Sequence, residues 1–161
     1  MQITHANITD LAQLMLIEQA GFTTAEAASE EAMLERIKTI PDTFLVSRDK
    51  DGNVTGFIMG PVINQRYLTD DLFEHVTENS VAGGFQSVLS LAVSPDYRGQ
   101  GIAGQLLNEL ADVAKKAKRK AVTLTCLDRL VAFYDQHGYT DEGISSSNHG
   151  GETWHNMVLG I

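Results

Sequence analysis

Apolar residues recur along this chain in two rhythms, one of period two and one of three to four, and the switches between them divide it into elements. Residues 2–6 read as a short strand. After Asn7 or Thr9-Asp10, any of which can cap a helix, Ile8, Leu11, Leu14, Met15 and Ile17 fall at helical spacing as far as Ala20-Gly21. A second helix is predicted over 24–40, with Thr24 as its cap, Met33, Leu34, Ile37 and Ile40 as its apolar side, and Pro41 as its stop. Glu18, Glu26, Glu30 and Glu31 on this helical pair read as a solvated face. Residues 43–48 and 54–63 read as strands joined through Asp49-Lys50-Asp51-Gly52-Asn53, where Gly and Asn accept positive φ. Gly56 and Gly60 inside the second strand predict a bulge or a close backbone approach. A short helix behind a capping threonine is predicted over 67–75, then a loop over 79–84.

The apolar run Val88-Leu89-Ser90-Leu91-Ala92-Val93 has the length and β-branching of one buried strand, stopped by Ser94-Pro95-Asp96. Arg98-Gly99-Gln100-Gly101-Ile102-Ala103-Gly104 follows, and then Leu106, Leu107, Leu110, Val113 and Ala114 continue from Ile102 at helical spacing. The first N–H groups of a helix have no intrahelical acceptor. Gly99, Gly101, Ala103 and Gly104 leave almost no bulk in front of them, the helix dipole adds partial positive charge, and Arg98 adds a full one. The combination suits a phosphate or pyrophosphate. No Gly-Lys-Ser/Thr follows, as a Walker loop requires, and the third glycine of the dinucleotide fingerprint is missing. The helix ends in Lys115-Lys116-Ala117-Lys118-Arg119-Lys120, cations at a solvated helix C-terminus. Residues 121–125 alternate as a strand, and 128–137 read as a helix stopped by Gly138. Residues 139–145 and 153–159 read as a final antiparallel pair joined by Asn148-His149-Gly150-Gly151, with His149 a turn residue and Trp154 core. Mixed strands with two leading and two later helices indicate an α+β or three-layer α/β architecture.

Composition narrows the setting. The 161 residues, 43% hydrophobic and 20% charged, with no repeat, low-complexity tract or linker, predict a single domain over 1–161. No apolar run is long enough to span a bilayer and the first residues lack a signal pattern, so a cytoplasmic location is the expectation. Cys126 is the only cysteine, which excludes an internal disulfide. A net charge of −9 argues against nucleic acid and anionic membrane as partners and weakly favours a cationic small substrate.

Arg98-x-x-Gly101-x-Ala103 after an apolar strand resembles the acetyl-CoA signature of the Gcn5-related N-acetyltransferase (GNAT) superfamily. The segment from Thr123 through Phe133-Tyr134 to Gly138-Tyr139 is similar to that family's next strand and helix. The two together, in that order and separation, are specific. The resemblance covers nearly the whole chain and is closest to the arylalkylamine (serotonin-type) subgroup. It implies a mixed, mostly antiparallel sheet of about seven strands, splayed into a V between the fourth and fifth, flanked by four or five helices. It further implies a direct transfer of acetyl from acetyl-CoA to a primary amine without an acyl-enzyme, and no metal. The cofactor-binding residues it assigns are Leu91, Ala92 and Val93 for pantetheine, Arg98, Gly99, Gln100, Gly101, Ile102, Ala103 and Gly104 for the diphosphate, and Phe133.

Thioester aminolysis needs a neutral amine, donors for the oxyanion and a proton for the leaving thiolate. The resemblance places Tyr134 beside the CoA sulfur as that acid. The subgroup's two relay histidines align with Ser87 and Leu89, neither of them a base near neutral pH. The acceptor's proton then goes to Glu74 or His75 in the long loop, or to water. Phe22 and Thr125 complete the expected acceptor site. The acceptor expected is an arylalkylamine or polyamine, and the chain is expected as a monomer or homodimer. The alternatives are acetylation of a protein N-terminus or lysine, and a non-catalytic acetyl-CoA sensor.

Overall fold

The two rhythms resolve into strands and helices that pack on both faces of a split sheet. The protein is described here by a computed structural model covering residues 1–147 and 149–161. Within those residues the order is β1 (Gln2–His5), α1 (Leu11–Gly21), α2 (Glu30–Thr39), β2 (Phe44–Arg48), β3 (Val54–Met59), β4 (Val62–Ile63), β5 (Phe85–Val88), β6 (Ser90–Val93), α3 (Ile102–Lys116), β7 (Ala121–Leu127), α4 (Val131–Gln136), β8 (Thr140–Ile144) and β9 (Trp154–Gly160). One sheet runs β1-β2-β3-β6, all antiparallel. The other runs β4-β5-β7-β9-β8, with β5 and β7 parallel. Strand alternation sends β2 and β3 side chains to opposite faces. Phe44, Val46, Phe57 and Met59 pack with Leu14, Ile17, Met33 and Ile37 of α1 and α2. Leu45 and Ile58 pack with Leu106 and Leu110 of α3, and with Leu124 and Met157 of the second sheet. Helices therefore cover both faces, in three layers.

The run over 88–93 is not one strand. It breaks at Leu89, and the two halves belong to different sheets. β5 pairs in parallel with β7, while β6 pairs with β3. The predicted strand over 54–63 breaks as well, at Gly60-Pro61. Proline has no N–H for the ladder, and the Gly60 backbone lies so close to Ser87 that a Cβ there would sit 2.0 Å from its carbonyl oxygen. These two breaks, with the short β4, give nine strand segments among the described residues in place of about seven.

The second helix starts at Glu30 rather than Thr24. Ser29 is its cap, Oγ accepting from the Ala32 N–H at 3.1 Å. The preceding residues are drawn out of helix by a buried acceptor, because the Ala28 N–H donates to Glu18 Oε2 at 2.8 Å. The short helix predicted over 67–75 is a 3-10 turn, Asp70–Phe73, and the Thr69 hydroxyl bonds the Asp71 side chain instead of capping it. The long loop around it is tied down by neighbours. Arg36 Nη2 donates to the Phe73 carbonyl at 3.1 Å, and Glu35 accepts from the Val76 N–H at 2.9 Å. Arg119, expected on a solvated helix end, is buried and donates to the carbonyls of Ser80 and Gly83 at 2.8 and 2.9 Å. A 3-10 turn, Asp128–Leu130, precedes α4. The last two strands pair as expected, and Asn148 of their connection lies outside the described residues.

Candidate active site

The break at Leu89 makes the site. Val88 opposite Leu124 is the last rung between β5 and β7. Beyond it β6 is the edge of its sheet, and Thr125, Cys126 and Leu127 pair only with β9. Two strand edges with unused main-chain groups thus diverge. The gap opens into a cavity of about 600 Å³, walled by both edges, the C-terminal end of α1, α2 and the loop at Phe73. Leu91, Ala92, Val93, Phe22, Thr125, Glu74 and Tyr134 all reach its wall. His75 does not. Its side chain is 83% exposed and lies 3.3 Å from Glu35, away from the cavity.

The turn after β6 has a backbone that favours glycine at two positions. Gly99 and Gly101 have φ of 79° and 78°, the left-handed region that L side chains avoid. The first helical hydrogen bond of α3 runs from the Gln105 N–H to the Gly101 carbonyl at 3.1 Å. The N–H groups of Ile102, Ala103 and Gly104 consequently have no acceptor among the described residues. They border a depression of about 420 Å³, formed also by Arg98, Gly99, Gly101, Phe133 and His137. Val93 and Arg98 line both hollows, so turn and cavity adjoin at these two residues. Arg98 is pinned at the junction, Nε donating to the Val93 carbonyl at 3.3 Å. Gln100 is exposed and lies outside both hollows. The Ile102 side chain points into the core at 2% exposure, leaving only its main chain to the depression. Gly104 is small for a reason other than anion access, since a Cβ there would meet His137 Cε1 at 2.8 Å.

Tyr134 stands edge-on to Phe133 and Tyr139, with centroids 5.1 and 5.7 Å away. Burial raises its hydroxyl above the ordinary phenol range, so it stays protonated. Cys126 also reaches the cavity, and burial pushes its thiol up to about 12, which removes it as a nucleophile.

Four participants escape the sequence reading. Glu18, expected on a solvated face, is 3% exposed and opens onto the cavity. Its Oε1 accepts from the Ser90 hydroxyl at 2.9 Å. Burial raises its carboxyl above the usual carboxylate range, against the pull of the Ala28 N–H, Ser90 and Arg36. The signal was present in the sequence: Glu18 follows Leu14 by four residues, on the apolar stripe of α1. The two positions aligned with the subgroup's histidines offer nothing comparable. Ser87 donates to the Pro61 carbonyl, and Leu89 is apolar. Arg36 is likewise 3% exposed and on the cavity wall. Finally, His149 and Trp154 join the cavity mouth. The His149 ring stacks on Phe73 at 5.7 Å, and Trp154 Nε1 donates to the His149 carbonyl at 2.8 Å.

Among the described residues no helix is long and apolar enough to cross a membrane, and no three His, Cys, Asp or Glu side chains gather as a metal site. A family model described as "Acetyltransferase (GNAT) family" matches residues 11–139. No curated protein sequence matches the chain. Solved structures similar to it include the GNAT-like decarboxylase GphF in complex with isobutyryl-CoA, at 20% identity over 99% of both chains and a TM-score of 0.81. The NatB acetyltransferase complex bound to CoA and MES aligns at 15% identity over 100% of this chain and 99% of that one, with a TM-score of 0.78. The ribosomal-protein-S18-alanine N-acetyltransferase from Escherichia coli aligns at 20% identity over 99% and 93%, with a TM-score of 0.70. At these identities the likeness is one of fold.

Proposed function

This chain belongs to the acetyltransferase (GNAT) family, and on that footing we propose that it transfers acetyl from acetyl-CoA to the primary amine of a small molecule. The observation that carries the reading is the adjoining of the Gly99–Gly101 turn and the cavity between the β6 and β7 edges, at Val93 and Arg98. In this reading the N–H groups of Ile102, Ala103 and Gly104, with Arg98, hold the diphosphate. Pantetheine runs along the open edge of β6 at Leu91, Ala92 and Val93, and the thioester reaches the neighbourhood of Ser90 and Tyr134. The acyl-CoA bound in the similar GphF structure supports the choice of cofactor.

The acceptor enters from the α1–α2 side. Its ammonium gives a proton to Glu18 through the Ser90 hydroxyl, and the neutral nitrogen attacks the carbonyl carbon. The C–N bond forms and the C–S bond breaks. The thiolate takes its proton from Tyr134, and a thiolate desolvated in the same cavity is itself a stronger base than one in water. Phe22, Phe73 and Trp154 on the cavity wall favour an aryl-alkyl acceptor. Arg36, Arg98 and Arg129 on the same wall are matched by Glu18, Glu26 and Glu74, so its charge does not single out a polyamine.

The test is release of free CoA thiol from acetyl-CoA across a panel of amines and peptides, with acetyl-CoA binding measured separately. Gly101→Asp is expected to weaken acetyl-CoA binding at least 100-fold, because it adds anionic charge where the diphosphate lies. Gly101→Ala brings the backbone strain alone. Tyr134→Phe is expected to bind acetyl-CoA and lose turnover. Undiminished affinity in Gly101→Asp overturns the cofactor site. Preference for a peptide over every small amine moves the acceptor to protein, and binding without turnover on any acceptor makes the chain a sensor.

A further inference from the structure

The cavity wall carries a cation with no anion against it. Arg36 projects from α2 at 3% exposure, and among the described residues its one side-chain hydrogen bond is the donation from Nη2 to the Phe73 carbonyl. Among the described residues no carboxylate oxygen lies within 4.0 Å of its nitrogens. A guanidinium taken out of water needs an anion or several acceptors to offset its desolvation. One neutral carbonyl occupies one of five N–H groups. Tethering the loop at Phe73 accounts for that single contact, and Glu18 and Glu35 act on the charge only from a distance, so no anion grips the guanidinium.

The same cavity holds an anion that is equally buried. Glu18 faces it from α1, tied to Ser90 and Ala28, and attracts Arg36 across the space without touching it. A buried cation and a buried anion that share a hollow and do not meet match a ligand with both charges. The rest of the charged wall is balanced, Arg98 and Arg129 against Glu26 and Glu74, so it selects neither a polycation nor a polyanion.

We propose that the acceptor is an α-amino acid or a close analogue, its carboxylate gripped by the guanidinium fork of Arg36 and its nitrogen turned to Ser90 and Glu18. This rests on the acyl-transfer reading above and specifies its substrate. The carboxylate takes no part in the bond changes. Its role is to orient the amine, and a bidentate Arg–carboxylate pair fixes both distance and plane.

The experiment compares acceptor pairs that differ by the carboxylate alone, such as phenylalanine with phenethylamine, tryptophan with tryptamine and lysine with cadaverine. The wild-type chain and acetyl-CoA are used, with thiol release as the readout. At least one amino acid is expected to exceed its decarboxylated partner tenfold or more in kcat/KM. In Arg36→Met that ratio is expected to fall to near one through KM, and Arg36→Lys to keep part of it. The wild-type comparison stands even if Arg36→Met fails to fold. Decarboxylated amines used as well as, or better than, their amino acids in every pair overturn the proposal and leave acyl transfer intact. A rate with malonyl-CoA above that with acetyl-CoA, on a carboxylate-free amine, assigns Arg36 to the acyl group and also overturns it. Thiol release from peptides alone overturns this proposal and keeps acyl transfer, whereas release from no pair and no peptide overturns the acyl-transfer reading itself, and this proposal with it.

Discussion

Glu18 shows what one side chain contributes when burial and a partner act together. Free glutamate titrates near ~4.3, and burial raises this one. It acts as a base only when ionised, so kcat/KM is expected to rise with pH along a limb whose midpoint lies above the ordinary carboxyl value. Glu18→Gln keeps both contacts, accepting from Ala28 and donating to Ser90. It is expected to lower kcat by about 10²–10⁴, the usual worth of a positioned base, and to abolish that limb. The sign for stability follows from the same shift. The folded state holds this proton more tightly than the unfolded one. The stabilisation is complete below the unfolded pKa and is lost as pH rises through the folded value. Urea midpoints of the wild type are expected to show this decline, and those of Glu18→Gln to lack it. At this scale the sequence was readable where backbone rules decide, as at Gly99 and Gly101. It was misread where a charge on an apolar stripe is kept for chemistry, as with Glu18, or where a helix-end cation anchors a distant loop, as with Arg119.

Among elements, the breaks matter more than the strands. The apolar runs over 54–63 and 88–93 were visible as strands, yet hydrophobicity carries no mark of where a strand changes sheets. Leu89 is as apolar as its neighbours. Gly60-Pro61 did carry a mark in its proline, and the cause of the close approach, Ser87, comes from a segment 27 residues on. Gly60→Ala is therefore expected to cost more than the 1–3 kcal/mol of ordinary overpacking, since a backbone carbonyl cannot rotate out of the way. In a chain of this size that is a fall in Tm of at least about 6–12 °C, read by thermal unfolding. Gly52→Ala, where a Cβ meets nothing within 4 Å, brings only the strain of φ +86° and serves as the contrast. Helix starts follow the same logic. The α2 start was misassigned because Thr24 and Ser29 are both good caps, and a long-range acceptor on Glu18 chose between them.

For the whole molecule, the three layers and the acetyltransferase superfamily were legible because binary pattern and motif agreed, while the arylalkylamine subgroup was not. The cavity mouth was not, since Phe73, His149 and Trp154 meet only through tertiary folding. The two sheets separate beyond Val88, and a ligand lodged there touches both, so its binding energy adds to the stability of the fold as a unit. Acetyl-CoA at 100 times its Kd is expected to stabilise the chain by about 2.7 kcal/mol, a rise in Tm of roughly 5–11 °C by differential scanning fluorimetry. A Tm unmoved by saturating acetyl-CoA contradicts occupancy of the wedge.

Cys126 bears on how this protein is to be assayed. A chain of 161 residues has one sulfhydryl, and it sits 2% exposed with its proton held to about 12. A disulfide dye that colours with every sulfhydryl it meets will find the native enzyme dark, and each turnover will register against an unreacted background. The same residue becomes a dosimeter for denaturation, yielding one equivalent of colour as the polypeptide opens.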